Sequence, residues 1–493
     1  MVWDCHGNAI ARGYSSLSLL IPQPTWHEQP AESWWRATVQ AIRQAVSQID
    51  PGQLRDVCIA HQRETFVPVD ERCQALTNGI VWMDERAREL LPGLEQAFGP
   101  ENFHRLTGKR LSVNLTIAKI AWLKEFQPDI FAQTYKYLDV HSFLVHRLTG
   151  FYRTGWGCAD PTGMFDMQNN CWAETILQQV GIRLDQLPEV YPPGTIVGTV
   201  TPSAAQACGL PAGLPVAAGI GDGQASGLGV NITSPGEAYL SLGTSVVSGT
   251  HSDQYVFNPA FRTMTSGIPG AYLLETVLLG GGYTLAWFME KIAGQPGQDI
   301  AQLQDLYDQA ASAVSPGSAG LVVVPYWNGV LGPYWDPAAS GIIVGWRGIH
   351  QLPQLYRAIL EGLAFEQHLG TLGVEKALGK SVQRYIAIGG GAQSNLWCQI
   401  IADITNKPVF RASSTEAAAL GAGILAATAA GWYADAHQAA QEMTHILPQP
   451  TEPDASRHNF YNHLFEEVYR PLFPALQLYL DRLTALSKIN PTD

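Results

Sequence analysis

Apolar residues near the start of the chain repeat at the spacing of an amphipathic helix. The segment "PAESWWRATVQAIRQAVSQI" begins at Pro30 and places apolar side chains at intervals of four, three, four and three residues. The repeat consists of Trp35, Val39, Ile42, Val46 and Ile49. This spacing predicts a helix with one buried face, and proline is favoured in a first helical turn.

Shorter apolar runs along the rest of the chain have the composition of strands. "DVCIAHQRETFVPVD" contains two such runs around a polar bend, and four later runs end in glycines or turn residues: "PVAAGIGDG", "EAYLSLGTSVVSGT", "GLVVVPYW" and "RYIAIGGG". Helical patterns lie between several of them, so the sequence predicts an α/β fold with sheets covered by helices. The polar break "NITSPG" favours a boundary between domains 1–232 and 233–450, with a helical extension over 451–493.

The first fourteen residues have the pattern of a hairpin. Residues 2–4 are typical of the end of a strand, the His-Gly-Asn sequence at 6–8 of a tight polar turn, and residues 9–14 of the returning strand. The first strand therefore has almost nothing before it.

Length and charge limit the classes of protein. A chain of 493 residues is too long for one hydrophobic core and suggests two domains. The formal net charge of −13 argues against a nucleic-acid or membrane partner, although a local basic pocket for phosphate is compatible with it. Seven scattered cysteines without a C-x-x-C pair indicate neither a zinc site nor a disulfide framework. With polar residues interrupting the N-terminus, we expect a cytoplasmic protein.

Three glycine-bearing segments are candidates for chemistry. "GIGDGQASGLG" places Asp222 after an apolar strand, where its carboxylate can project into a crevice, although such an aspartate more often caps a helix. "SLGTSVV" interrupts a strand at Gly243 and Thr244, where backbone and hydroxyl could meet a phosphate or simply form a hairpin turn. "IAIGGGAQSNLWCQIIADIT" leads a strand through glycines into a helix N-terminus, a favourable place for an anion or a nucleotide.

The order of these segments, together with "WHEQPAESWW" and "STEAAALGAGILAA", resembles the FGGY carbohydrate kinases over nearly the whole chain. The resemblance implies two ribonuclease-H-like domains of the actin and hexokinase type, with ATP and a sugar meeting in the cleft between them. It also implies ATP and Mg²⁺ as cofactors and a small sugar or polyol as the acceptor. A homodimer is compatible with it, but the sequence does not fix the oligomeric state.

The resemblance assigns roles to individual residues. Asp222 matches the catalytic base that accepts the proton of the attacking hydroxyl. The residues that match nucleotide-binding positions are Gly243, Thr244, Gly282, Gly390, Gly391 and Asn395. The small residues from Ala417 onward would form a close-packed helix beside the adenosine-binding loop, with an ordinary core helix as the alternative interpretation.

The acceptor is indicated less sharply. Arg63 and Glu64 resemble the Arg-Glu pair with which glycerol kinase holds its polyol, Trp82 matches a sugar-facing tryptophan, and Gln224 follows the base closely enough to reach the sugar. An exposed ion pair beside a core aromatic is the alternative interpretation. Xylulokinases usually carry Met-His-Gly where this chain has Gln62-Arg63-Glu64, and this departure argues against D-xylulose as the acceptor. The general run of the chain is nevertheless closer to xylulokinase-like enzymes, so we expect a ketopentose such as D-xylulose, with glycerol or another polyol as the alternative.

One part of the family pattern is missing. FGGY kinases begin with a strand and a D-x-G-T-x-x-x-[RK] motif that contacts the ATP phosphates and helps to organise magnesium, and this chain has neither before "VWDCHGNAIARG". We therefore expect the native start to lie roughly one to two dozen residues upstream, a strand and a turn by ordinary element lengths. The rival interpretation is a true truncation, a pseudokinase that binds nucleotide without phosphorylating a sugar.

Overall fold

The computed structural model describes residues 1–294 and 300–487. Its first half contains short strands and helices in alternation. The elements are β1 Val2–Trp3, β2 Ala9–Ala11, β3 Glu28–Gln29, α1 Ala31–Val46, β4 Val57–His61, β5 Phe66–Val69, β6 Gly79–Ile80, α2 Leu91–Phe98, α3 Pro100–Thr107, α4 Thr116–Phe126, α5 Pro128–Gln133, β7 Lys136–Asp139, α6 Val140–Thr149, β8 Arg153–Gly155, α7 Trp156–Ala159, β9 Phe165–Asp166, β10 Cys171–Trp172, α8 Glu174–Val180, β11 Glu189–Tyr191, β12 Ile196–Thr199, α9 Pro202–Cys208, β13 Pro215–Gly221 and α10 Asp222–Leu228.

The second half begins with long strands and ends in helices. The elements are β14 Glu237–Leu242, β15 Val246–Ser252, β16 Arg262–Thr265, β17 Tyr272–Leu278, α11 Gly281–Trp287, α12 Ile300–Ser312, β18 Val322–Val324, β19 Ile342–Val344, α13 Leu352–Leu378, β20 Arg384–Ile388, α14 Asn395–Thr405, β21 Val409–Arg411, α15 Ala417–Ala429, α16 Ala436–Met443, α17 Ala455–Leu464 and α18 Arg470–Ser487.

Two sheets organise the first domain. One is four-stranded in the order β3-β6-β5-β7, and the other is three-stranded in the order β12-β13-β4. β13 and β4 are parallel, with Gly221 opposite His61. Because parallel strands end at the same edge, the segments that follow them are neighbours. β4 is an edge strand among the described residues, and α15 packs beside it.

One six-stranded sheet organises the second domain, in the order β16-β17-β15-β14-β20-β21. Its first four strands pair antiparallel, whereas β14, β20 and β21 are mutually parallel. β14, β17 and β20 therefore all run in the same direction. Their carboxyl ends, at Leu242, Leu278 and Ile388, meet at one edge of the sheet.

The predicted elements are largely present. α1 begins directly after Pro30, and its predicted apolar stripe packs against one core of the first domain. The apolar spacing did not predict that Trp34 is buried. Trp34 is the most deeply buried large residue of this helix and packs edge-on against Phe143. Ile49 lies beyond the end of the helix. The strand predictions are confirmed by β4, β5, β13, β14, β15, β18 and β20.

The predicted N-terminal hairpin is also present, with a shorter second strand. β1 and β2 pair antiparallel, and the carboxylate of Asp4 accepts hydrogen bonds from the backbone nitrogens of His6 and Asn8. Gly7 has a φ of +74° and lies against the carbonyl of Met443, where a side chain would clash. The hairpin is thereby fixed to the helical part of the second domain.

The Ala/Gly-rich segment forms α15, which packs most closely against another helix. α15 packs against α10, the helix that begins at Asp222, and a Cβ atom on Gly421 would lie 2.0 Å from the carbonyl oxygen of Ala225. The absence of a side chain at this position lets the two backbones touch. The prediction of close helix packing is thus confirmed, and Ala417 at the start of α15 shares an apolar cluster with Ile388, which directly precedes the glycine loop.

The C-terminal helices cover the second domain. Tyr461 of α17 and Phe473 of α18 belong to the same apolar core as the six-stranded sheet and α13. Within 1–294 and 300–487, no helix combines the length and the apolar character that crossing a membrane requires.

A buried carboxylate in this core forms no ion pair with any basic side chain of residues 1–294 and 300–487. Glu366 of α13 accepts hydrogen bonds from the hydroxyl groups of Tyr326, at 2.9 Å, and Tyr469, at 2.7 Å. Burial raises the pKa of Glu366 from its ordinary value of 4.5 to about 7, although the two hydroxyl donors oppose the rise. The folded protein therefore holds a proton here that the unfolded chain releases at lower pH.

The raised pKa of Glu366 predicts that the protein loses stability as the pH rises. The contribution of Glu366 is fully present below about pH 4.5 and is lost as the pH rises through 7, because the unfolded state binds fewer protons in this window. We expect the free energy of unfolding of Glu366→Gln, taken relative to that of the wild type, to increase by about 1–3 kcal/mol as the pH rises from 5 to 8. Urea unfolding of both proteins at several pH values measures the difference, and parallel curves would contradict the prediction.

Candidate active site

The parallel strands β4 and β13 bring Arg63 and Asp222 together. Each residue follows the carboxyl end of its strand, and Arg63 Nε lies 3.2 Å from Asp222 Oδ1. The same oxygen accepts a hydrogen bond of 2.8 Å from the backbone nitrogen of Gly223. The residue at the N-cap of α10 is Gly221, not Asp222. The Asp222 side chain is 56% exposed, which leaves it accessible to a ligand.

Arg63 continues into a chain of alternating charges that crosses between the domains. Its NH1 donates a 2.8 Å hydrogen bond to Glu275 Oε2 on β17. Glu275 also accepts from Arg262 on β16, and Arg262 NH1 lies 3.0 Å from Glu64 Oε1. Asp222, Arg63 and Glu64 come from the first domain, whereas Glu275 and Arg262 come from the second. The predicted polyol-binding pair is therefore held by residues of the opposite domain.

Mutual pairing keeps these buried groups charged. Burial alone would raise the pKa of Glu275, but the charges and hydrogen bonds of Arg63 and Arg262 outweigh it and lower the pKa to about 2. Burial likewise opposes the charge of Arg63, but Glu275, Asp222 and Glu64 hold its pKa well above the usual value. Glu275 and Arg63 therefore stay ionised throughout the physiological pH range.

A buried lysine fixes the turn that carries Glu64. Lys119 of α4 donates hydrogen bonds to the carbonyl oxygens of Glu64, at 2.9 Å, and Val81, at 3.0 Å. Glu64 has a φ of +55°, a left-handed conformation that an L-residue adopts at some cost. Val81 precedes Trp82, which is half-buried and whose backbone nitrogen donates to Thr65 Oγ1. Burial lowers the pKa of Lys119 to about 7.

Gln224 lies behind the exposed part of the site. It is 2% exposed, and its amide nitrogen donates to Asp160 Oδ2, at 3.2 Å, and to the carbonyl oxygen of Gly157. Asp160 also forms a 3.1 Å ion pair with Lys109 and accepts two hydrogen bonds from Thr265 of β16. Through Asp160, Gln224 connects the helix of Asp222 to the seam between the domains. The predicted contact between Gln224 and the sugar stays a prediction.

The predicted nucleotide residues gather at the carboxyl edge of the second sheet. Gly243 and Thr244 form the turn between β14 and β15, and the backbone nitrogen of Gly282 donates a 2.9 Å hydrogen bond to the Gly243 carbonyl. A Cβ atom on Gly282 would lie 2.4 Å from that oxygen. Glycine at this position therefore lets the turn and the start of α11 touch, while the Thr244 side chain remains exposed.

The third glycine segment opens onto a cavity of about 670 Å³. Gly390 and Asn395 line this cavity between α12 and α14. Asn395 is the first residue of α14, and its Oδ1 accepts a hydrogen bond from Arg411. Gly391 faces inward, where a Cβ atom would lie 2.4 Å from the ring of Trp397. The cavity and the exposed helix N-terminus form a space suited to a nucleotide.

The sequence analysis did not identify five of the eight charged residues at this site. Glu275, Arg262, Lys109, Lys119 and Asp160 all lie in the network or directly behind it. The sequence signal for Lys119 is the run "IAKIAWL", in which this lysine is the one polar residue. Glu275 similarly interrupts the apolar strand "YLLETVL".

Two α/β domains, with an exposed carboxylate at a strand end of the first and glycine turns at strand ends of the second, form an arrangement suited to phosphoryl transfer. Models of the FGGY family of carbohydrate kinases match both parts of the chain, the N-terminal domain over residues 1–229 and the C-terminal domain over residues 238–430. The chain belongs to this family, and it is an enzyme that phosphorylates a sugar or polyol hydroxyl.

Individual relatives carry several substrate names. Xylulose kinase of Escherichia coli strain K12 is 30% identical over 481 residues, which cover 95% of this chain and 96% of the relative. Gluconokinase of Bacillus subtilis strain 168 is 26% identical and covers 86% of this chain and 84% of its own length. The solved structure of xylulose kinase from Lactobacillus acidophilus superposes with a TM-score of 0.91 at 24% identity, covering 98% of this chain and 96% of its own. The predicted fold and family are thereby confirmed.

The two neighbouring glycines of the third segment make a matched pair for mutation. A Cβ atom at Gly391 meets Trp397 and Leu242, whereas one at Gly390 has nothing within 4 Å. We expect Gly391→Ala to lower the free energy of unfolding by about 1–3 kcal/mol through overpacking, and Gly390→Ala to change it by less than about 0.5 kcal/mol. Urea unfolding of both variants measures this, and equal losses would contradict the steric argument.

Proposed function

We propose that this enzyme transfers the terminal phosphate of ATP to a hydroxyl group of a ketopentose such as D-xylulose. Asp222 is the catalytic base in this proposal. The supporting observation is its position: an exposed carboxylate held at the end of β13 by Arg63 and by the Gly223 nitrogen. The new bond joins the acceptor oxygen to the terminal phosphorus, the bond from that phosphorus to the bridging oxygen breaks, and the acceptor proton passes to Asp222.

The path along β17 relates the two ends of the site. Glu275 contacts Arg63 beside Asp222, and three residues later the strand ends at Leu278, just before the turn that reaches Gly282. Three extended residues span about 10 Å. A phosphate chain between the Gly243 turn and Asp222 would cover a distance of this order. Phosphoryl transfer depends mainly on such positioning and on electrostatic stabilisation.

The nucleotide would lie with its base in the cavity beside Gly390 and Asn395 and its phosphates toward Gly243, Thr244 and Gly282. Magnesium typically keeps several waters and binds through substrate phosphates, so the ion would lie on the phosphates of the nucleotide and leave Asp222 free to accept the proton. The ion would neutralise charge on the phosphates. Among the described residues, no group of three or more histidine, cysteine or acidic side chains forms a metal cage.

The acceptor would lie on Asp222, Arg63 and Trp82. Arg63 is 10% exposed and already fixed by two carboxylates, so its remaining N–H groups can donate to sugar hydroxyls without much further ordering. The half-buried Trp82 offers an apolar face to the carbon skeleton. The xylulose kinase names of the relatives favour a ketopentose among the possible acceptors.

Removal of the base tests the proposed role of Asp222. We expect Asp222→Asn to lower kcat by roughly two to four orders of magnitude, the usual range for general base catalysis. Binding of a non-hydrolysable ATP analogue, measured by calorimetry, should stay within about threefold, because the predicted nucleotide residues lie in the second domain. Near-wild-type turnover in the variant would overturn the assignment of the base.

A panel of acceptors tests the substrate. We expect kcat/KM with ATP to be greatest for D-xylulose among ketopentoses, glycerol, other alditols and D-gluconate. A higher value for glycerol would replace the ketopentose with a polyol. Binding of the ATP analogue without phosphorylation of any acceptor would instead support the non-catalytic alternative.

A further inference from the structure

Glu275 does more than fill the seam between the domains. Resting on the proposed function, we infer that Glu275 is a specificity-determining residue that keeps the Arg63 guanidinium paired and thereby restricts the acceptor to uncharged sugars and polyols. Glu275 is a positioning residue in this role, because it acts through Arg63. The inference concerns the charge of the acceptor and therefore separates a ketose or alditol from an aldonate.

Four basic side chains at the seam between the domains each have a partner. Arg63 contacts Asp222 and Glu275, Arg262 contacts Glu275 and Glu64, and Lys109 is paired with Asp160. Lys119 donates to two backbone carbonyl groups. A carboxylate on the acceptor would need one of these cations as its counterion.

Arg63 is the cation best placed to receive an anionic acceptor. It is the partner of the exposed Asp222, and its guanidinium forms part of the wall around Gly223, where a Cβ atom would lie 3.1 Å from Arg63 NH1. Glu275 Oε2 lies on the same wall, 2.7 Å from that Cβ position. An acceptor carboxylate binding here would therefore approach a buried negative charge as well as the arginine.

Charge counting gives the consequence of removing Glu275. The network contains three carboxylates, Asp222, Glu275 and Glu64, and two guanidinium groups, Arg63 and Arg262, so its formal charge is −1. Glu275→Gln makes it neutral and leaves Arg63 with Asp222 alone. An anionic acceptor then meets a free donor edge on Arg63, whereas an uncharged one meets a less rigid arginine.

The experiment compares kcat/KM for D-gluconate and D-xylulose. We expect Glu275→Gln to raise the gluconate-to-xylulose ratio at least tenfold over the wild type, mainly through a lower KM for gluconate. Glu275→Asp, which retains the charge, should restore the ratio to within about threefold of wild type. An unchanged ratio in a Glu275→Gln protein that still phosphorylates D-xylulose would overturn the inference.

Glu375→Gln is the matched control. Glu375 also forms a partly buried ion pair, with Lys407 at 2.7 Å, and it accepts a hydrogen bond from the backbone nitrogen of Val382. Val382 and Lys407 precede β20 and β21, so this pair lies at the opposite edge of the sheet from the nucleotide turns. We expect this variant to leave the ratio unchanged.

Arg262→Gln gives a second measurement that does not depend on the folding of the Glu275 variant. It leaves Glu275 wholly to Arg63 and adds an unpaired Glu64 carboxylate, so the gluconate-to-xylulose ratio should fall below that of the wild type. A rise in this variant would contradict the inference. Calorimetric binding of D-gluconate to the wild type and to Glu275→Gln provides a readout without turnover, and equal affinities would also overturn it.

The outcome is separable from that of the proposed function. If the wild type phosphorylates D-gluconate better than D-xylulose, the inference fails while phosphoryl transfer to a sugar stands. If the wild type phosphorylates no acceptor, the proposed function fails, and gluconate binding to the two proteins alone decides the role of Glu275.

Discussion

The structure depends on one buried carboxylate that two domains share. Glu275 is fully buried on β17 and is bound by Arg63 of the first domain and Arg262 of its own. Removing such a carboxylate from water is expensive, by several kcal/mol, unless cations and hydrogen bonds compensate. Both arginines must therefore be in place together. The position of one domain on the other and the position of Arg63 at Asp222 are thus set by the same interaction.

Two buried lysines extend this coupling away from the exposed site. Lys109 forms an ion pair with Asp160 and donates a hydrogen bond to the carbonyl oxygen of Thr263. The other carboxylate oxygen of Asp160 accepts a hydrogen bond from Thr265 of β16. Lys119 fixes the backbone of Glu64 in its left-handed conformation. Since a buried lysine is stable only with such partners, the wall behind Asp222 is rigid, and chemistry that relies on positioning is favoured.

Backbone contact, not side-chain charge, forms the other half of the site. The turns after β14, β17 and β20 meet because their strands run in the same direction, and Gly282 and Gly391 lie where any Cβ atom would collide. The turns are left with exposed backbone and the hydroxyl of Thr244. Such a surface suits phosphate, which is recognised well by N–H groups and hydroxyls. In the proposed function, the acceptor side is thus built from charges and the phosphate-donor side from glycine turns.

The sequence by itself determined the local structure and the kind of chemistry. Hydrophobic spacing predicted α1 and the strands because burial of one face is a local pattern, and glycines after strands marked the turns that carry Asp222, Gly243 and Gly391. Only the tertiary structure decided which charges meet. Glu275 and Arg63 are 212 residues apart in the chain, and nothing in either local segment indicates the other. Ion pairing depends on distance in space, whereas a sequence pattern reports distance along the chain.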